Sequence, residues 1–243
     1  MPKFWYREHR WQYAEAESFI FSLASGLMDA IEWIAEKFYR EKDNWSSDLS
    51  PFEVLIATVL SQATNDKNSH LAFGNLKARI EITPEELSNV PTGLIEEVIR
   101  VGGLYHQKAL KIKAISKALV GDKLTEIMGS EDGRKKLLSL PGVGNKTADV
   151  LLCFKGDRDV VPIDTHIKRV SSRVWGFVGG YDEVQRELHK LIAPKERKRA
   201  HIAMIRFGRK ICRARGPLCE ICSINMECLY YLSREAPSTD LHS

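Results

Sequence analysis

Five cysteines stand in the 243-residue chain, and four of them fall within 17 positions. Cys212, Cys219, Cys222 and Cys228 are separated by six, two and five residues. Four thiolates so close together can close a loop around one inorganic centre. Zinc accepts a thiolate tetrahedron, but its common framework is two C-x2-C pairs far apart, and only Cys219 and Cys222 have that spacing. The bacterial ferredoxin run has shorter gaps and a following proline, which this chain also lacks. The cysteines therefore point to a metal centre without naming the metal. Disulfides are disfavoured because the chain reads as intracellular. Cys153, inside the apolar run Val150 to Phe154, reads as a buried thiol with no chemical role.

A second constellation lies upstream. Leu140-Pro141-Gly142-Val143-Gly144 separates the helical stretch Lys135 to Leu138 from a second one, Asn145 to Phe154. Glycines in such a hairpin let the backbone approach a phosphate, and the amides opening the second helix point at that anion. Gly142 and Gly144 are thus candidate contacts to a nucleic-acid backbone. An ordinary glycine turn between helices accounts for the motif equally well. Lys146 falls in the first turn of the second helix. The positive end of a helix disfavours a charged ammonium, and a neutral amine is a usable nucleophile, although a solvated or phosphate-pairing lysine is the simpler reading of a lone lysine. Eighteen positions later comes Ile163-Asp164-Thr165-His166-Ile167. Asp164 suits a helix N-cap, and a capping carboxylate is also one held at a fixed place.

Charge gives the third signal. Lys195 to Arg215 holds nine Lys or Arg and a single acid, Glu196. That segment carries +8 in a chain of net charge +4, leaving −4 elsewhere. A concentrated basic stretch on an otherwise acidic chain suits a polyanion, although a solvated helix face has the same composition.

The elements that must position these groups read as helices almost throughout. Ile20, Leu23, Leu27, Ile31, Ile34 and Phe38 recur at three- and four-residue spacing. Ser50-Pro51-Phe52-Glu53 combines a cap, a proline at the first helical position and a capping-box acid, and Thr83-Pro84-Glu85-Glu86 repeats the logic. Gly102-Gly103 and Gly121 read as helix ends. Asp182 opens a stretch through Val184, Leu188 and Leu191 that Pro194 stops. Only Val160-Val161 suggests a strand. Eleven of the 21 aromatic residues lie in the first 50 positions, a composition suited to packing a helix on a neighbouring domain, with a base-stacking surface as the alternative. Residues 233–243 read as a flexible tail.

Hydrophobic residues make up 44% and charged residues 28%, which excludes disordered and low-complexity classes for the body of the chain. No apolar run approaches the ~18 residues of a membrane span. Phe19 to Ile31 comes nearest, and Ser25, Gly26 and Asp29 interrupt it. No signal peptide is visible, so the expectation is a cytoplasmic protein without a membrane partner.

Taken together and in order, the motifs resemble the endonuclease III-type DNA glycosylases of the helix-hairpin-helix superfamily. The matching pieces are Phe52 to Ala57, Leu60-Ser61-Gln62-Ala63-Thr64, Gly103-Leu104-Tyr105 with Lys108-Ala109, Leu140 to Ala148, Asp164 to Ile167 with Arg169-Val170, and the four cysteines. They run from about residue 50 to 232. The resemblance implies an all-α fold of two helical domains flanking a DNA cleft. One is a six-helix barrel with the helix-hairpin-helix, over 51–158. The other is an iron–sulfur cluster domain assembled from 1–50 and 159–232. It implies a 4Fe–4S cluster on Cys212, Cys219, Cys222 and Cys228. It also implies a monomer acting on double-stranded DNA that contains a damaged base or an abasic site, associated with a prokaryotic nucleoid.

In that family the damaged nucleotide is flipped out of the duplex. Lys146 would attack the sugar carbon bearing the base with Asp164 assisting, and the resulting imine would allow β-elimination of the 3′ phosphate. Gln62 and Leu104 map to loop residues that fill the gap left by the base. His166 maps to a histidine close to the cleft, and Arg213 and Arg215 lie in the basic cluster loop expected to face phosphate. Oxidised pyrimidines are the expected substrates, with mismatched uracil or thymine, or an oxidised purine, as the alternative. Two departures bear on lesion preference: an aromatic N-terminal extension longer than in the bacterial forms, and Asn145 where a basic residue is common. A non-catalytic helix-hairpin-helix protein would have no need of Lys146 and Asp164 together. A small redox protein would explain the cysteines but neither the hairpin nor the basic stretch.

Overall fold

In the computed structural model, which describes residues 30–235, helices are α1 (30–38), α2 (Pro51–Leu60), α3 (Asp66–Arg79), α4 (Pro84–Asn89), α5 (Thr92–Ile99), α6 (Tyr105–Leu119), α7 (Lys123–Gly129), α8 (Gly133–Leu138), α9 (Asn145–Phe154), α10 (Thr165–Trp175), α11 (Tyr181–Leu191), α12 (Arg197–Lys210) and α13 (Leu229–Glu235). The described residues contain no strand, and the fold is all-α. No described helix is long and apolar enough to cross a membrane. Val160-Val161 belongs instead to an extended connection in which Val161, Pro162 and Ile163 are buried. Its apolar character reflects burial of the connection itself and not a sheet face.

The described residues divide into two compact units. One is Lys42–Pro162; the other joins residues 30–41 to those from Ile163 onward. In the first, α2 carries the start signals its sequence demands. Ser50 Oγ accepts the Glu53 N–H at 3.1 Å, and Glu53 Oε2 accepts the Ser50 N–H at 2.7 Å, so two orphan donors are satisfied reciprocally. Thr83 makes only half of that arrangement. It accepts the Glu86 N–H, while Glu85 reaches away to the Gly121 N–H. Phe52, Val54, Leu55, Ile56, Val59 and Leu60 are all buried, and α2 packs against α3, α6, α7 and α9.

Arg134 on α8 grips Asp149 on α9 through two hydrogen bonds, of 2.7 and 3.2 Å. Asp149 is fully buried, so this bidentate pair ties the two helices of the hairpin together where an uncompensated charge would be costly.

In the second unit α10 packs against α11, α12 and α13. Trp33 and Phe38 meet Phe207 of α12 edge-on, with ring centroids 6.3 and 5.3 Å away. These two half-buried N-terminal aromatics therefore pack on α12. Phe4, Trp5, Tyr6, Trp11, Tyr13, Phe19 and Phe21 lie outside the described residues. Ser233 to Glu235, expected in a tail, complete α13; residues 236–243 lie outside the described range.

Candidate functional site

The hairpin is a tight turn closed by the Val143 N–H donating to Leu140 O at 3.2 Å. Pro141 supplies its fixed φ at the second position. Gly142 takes φ +74° at the third, the left-handed region that favours glycine. A side chain there would also come within 2.9 Å of Lys111 Cδ. Leu140 and Val143 are buried and anchor the turn, whereas Gly142 and Gly144 are exposed. Gly144 is the N-cap of α9 and provides no side-chain cap; a Cβ there would meet nothing within 4 Å. Gly144 thus places no side chain of its own over the start of α9, as an anion-binding turn requires. Lys146 stands half-buried at the second position of α9.

Gln62 follows α2 and reaches this hairpin. Its Nε2 lies 3.5 Å from Gly142 O, and its Oε1 accepts from Lys111 Nζ at 3.0 Å. Leu104 is 52% exposed and takes φ +48°. Ala63, directly after Gln62, takes φ +49°. Both are non-glycine residues in the left-handed region, a conformation that persists only when its surroundings enforce it. Lys108 stands in the fourth position of α6. It is 2% exposed and donates to Leu60 O and Gly102 O, each at 2.8 Å. Burial, and secondarily the nearby charge of Lys111, push its ammonium below the usual lysine range.

In the other unit Asp164 caps α10, with Oδ1 accepting the Ile167 N–H at 2.8 Å. The preceding Ile163 N–H donates to Tyr181 Oη at 3.1 Å, which fixes the backbone entering the cap. His166 is half-buried in the first turn of α10, and its Nδ1 lies 3.0 Å from Arg169 Nη2. Arg169 also donates to Cys212 O and Gly208 O, joining the start of α10 to the end of α12. Gly208 lets the two helices approach closely, because a Cβ would stand 3.2 Å from His166 Cβ, tighter than most such contacts.

The basic segment divides on folding. Arg197 donates to the carbonyls of His189 and Ile192 at the end of α11. Arg199 pairs with Glu196 and lies 5.7 Å from the Tyr39 ring centroid. Lys195, Arg209, Lys210, Arg213 and Arg215 are exposed. Arg213 holds its own loop by donating twice to Gly216 O. Only part of the +8 stretch is therefore presented to solvent as unpaired charge, because Arg197 satisfies helix-end carbonyls and Arg199 pairs with Glu196.

The four cysteines, together with Phe207, Ile211 and Ile224, line one pocket, and all four are free thiols. Cys212 follows the last turn of α12, Cys219 opens a 3-10 turn and Cys228 leads into α13. Burial, and the mutual repulsion of neighbouring thiolates, push Cys222 and Cys228 up. A positively charged centre reverses both effects, since metal-bound thiols are deprotonated. Among the described residues no three Cys, His, Asp or Glu form a group that would hold a single ion. Thiolates on one zinc crowd within about 4.6 Å of each other, whereas thiolates on an iron–sulfur cluster can each bind a different iron and stand further apart. Four thiols lining one pocket are, by their chemistry, a donor set of the kind that holds an iron–sulfur cluster.

Residues 56–194 match the HhH-GPD superfamily base excision DNA repair protein family. The chain is 35% identical over 207 residues to Endonuclease III of Thermotoga maritima, covering 84% of this chain and 94% of that protein. It is 36% identical over 187 residues to Endonuclease III of Sulfolobus acidocaldarius, covering 74% and 82%. A trapped endonuclease III–DNA covalent intermediate superposes with a TM-score of 0.74 at 32% identity, covering 86% of this chain and 95% of that one. A non-covalent endonuclease III–DNA complex gives 0.75 at 31% identity, covering 87% and 97%.

Proposed function

The chain belongs to the HhH-GPD superfamily of base excision DNA repair proteins, and from that premise we propose that Lys146 and Asp164 are the reacting pair of an endonuclease III-type enzyme. The activity is that of a DNA glycosylase and abasic-site lyase, and the partner is DNA. The observation that carries the residue assignment is the position of Lys146, half-buried in the first turn of the helix launched by the Pro141-Gly142 hairpin. A relative 32% identical to this chain is known as a trapped covalent intermediate with DNA, which supports a covalent route.

Lys146 Nζ attacks C1′ of the flipped nucleotide, and the base leaves with the bonding electrons and a proton. The sugar ring then opens as the C1′–O4′ bond breaks and O4′ takes a proton, and the protonated imine left at C1′ makes the C2′ proton acidic. Loss of that proton expels the 3′ phosphate, and water then releases the lysine. Asp164, fixed by its cap, stabilises positive charge developing on the sugar. Gly142 and Gly144 amides hold the phosphate backbone, with Arg213 and Arg215 as further phosphate contacts and His166 lining the approach. Gln62 and Leu104 occupy the gap in the duplex.

Oxidised pyrimidines are the proposed substrates. A panel of duplexes tests this: each carries an oxidised pyrimidine, an oxidised purine, a mismatched uracil or thymine, or an abasic site. Oxidised pyrimidine should be excised fastest and the abasic strand nicked. Fastest excision of a mismatched base or an oxidised purine overturns the lesion class, and an intact abasic strand overturns the lyase.

Cys212, Cys219, Cys222 and Cys228 would hold a 4Fe–4S cluster, which when bound cross-links the segment from α12 to α13 and offsets the burial of the thiolates. Purified protein should be brown and carry about four irons per chain. Serine at any of the four should cost iron and solubility, while Cys153→Ser keeps both. Stoichiometric zinc without iron after anaerobic purification would overturn the assignment. The proposed setting is the cytoplasm of a prokaryote, with the enzyme on its chromosome.

A further inference from the structure

A buried ammonium needs a reason. Lys108 is 2% exposed, and its side-chain partners are two main-chain carbonyls, not a carboxylate. Those carbonyls are special. Leu60 is the last residue of α2, and Gly102 ends a 3-10 turn at Arg100–Gly102. Both belong to helix-end carbonyls that lack intrahelical donors and carry the negative end of the helix dipole. One cation satisfies both, from residues 48 and 6 positions away in sequence. Gly102 also packs closely on α3, since a Cβ there would stand 3.1 Å from Ala72 Cβ.

Each tethered carbonyl opens a loop. Two residues after Leu60 comes Gln62, followed by Ala63 at φ +49°; two residues after Gly102 comes Leu104 at φ +48°. The Lys108 N–H also donates to Leu104 O at 2.9 Å. One residue thus holds both loops, at the sites where the backbone adopts its least favourable conformation. One turn further along α6, Lys111 Nζ fixes the Gln62 amide at 3.0 Å.

We propose that Lys108 is a positioning residue that locks the Gln62 loop and the Leu104 loop into one frame, so that both residues enter the duplex together when the damaged base is extruded. This rests on the reading of Gln62 and Leu104 as gap-filling residues. Lys108 touches neither the nucleophile nor substrate. It governs extrusion of a paired base and bears little on chemistry at a site with no base to extrude.

The test uses the cluster-loaded full chain and the ratio of two rates: excision of a paired oxidised pyrimidine and cleavage of an abasic duplex. Lys108→Met keeps the volume and removes both hydrogen bonds. It should lower that ratio by about 10- to 100-fold, the scale of a displacement of roughly 1 Å in a preorganised site. The fluorescence rise of a 2-aminopurine at the target position, which reports unstacking, should fall with it. Equal losses on both substrates, or no loss, overturn the inference.

Gln62→Ala and Leu104→Gly run in parallel. If they lower the ratio and Lys108→Met does not, only the role of Lys108 fails. If they leave the ratio unchanged, the gap-filling reading fails and the inference with it. Should Lys108→Met not fold, Lys108→Gln retains a shorter two-hydrogen donor and is read by the same ratio.

Discussion

Lys146→Gln should abolish the borohydride-trapped protein–DNA adduct while leaving folding, iron content and binding to damaged duplex in place. The expectation follows from chemistry first. Elimination through an imine requires a primary amine on the sugar carbon, and neither water nor an amide supplies one. It follows next from position. Lys146 lies half-buried in the first turn of the ten-residue helix α9, directly after the hairpin proposed to hold the phosphate backbone. Glutamine is a good helix former of similar length, so the first turn of α9 should tolerate it. The hairpin turn depends on Pro141 and Gly142 and not on this side chain. The measurement is borohydride trapping on abasic duplex, with binding followed on the same substrate. A Lys146→Gln protein that still forms the adduct would mean that another amine is the nucleophile.

The parts of this site that were legible in sequence are those built from residue type and local spacing. Asn145–Phe154 is helical over the expected span because its apolar positions follow a helical period and Gly144 marks its start. Ser50, Thr83 and Asp164 cap helices because each places an oxygen in reach of an amide two or three residues on. Groups that bind main-chain carbonyls far along the chain were not legible. Every residue has a carbonyl, so the partners of Lys108 leave no trace in residue type. Charge counting failed in the same way over Lys195 to Arg215. Nine cations were countable, but Arg197 turns onto the carbonyls of α11 and Arg199 onto Glu196. Composition gives the sum of charge and not its direction.

Asp164 allows a sharper separation of roles than most carboxylates, because its structural duty is visible. Its Oδ1 accepts the Ile167 N–H at 2.8 Å and so caps α10. Asparagine caps as well as aspartate, through the same oxygen. Asp164→Asn should therefore preserve α10, the iron content and much of the affinity for damaged duplex. It removes the negative charge that the positively charged sugar of the transition state requires. Loss of one preorganised electrostatic group of this kind costs roughly 10²- to 10³-fold in rate. Asp164→Ala loses both functions, and the missing cap should add about 1 kcal/mol of destabilisation. The decisive comparison is single-turnover base excision beside thermal unfolding for the two variants. A slow but fully stable Asp164→Asn protein assigns the charge to catalysis. An Asp164→Asn protein with wild-type excision, beside an Asp164→Ala protein that is merely less stable, would reduce Asp164 to the cap of α10.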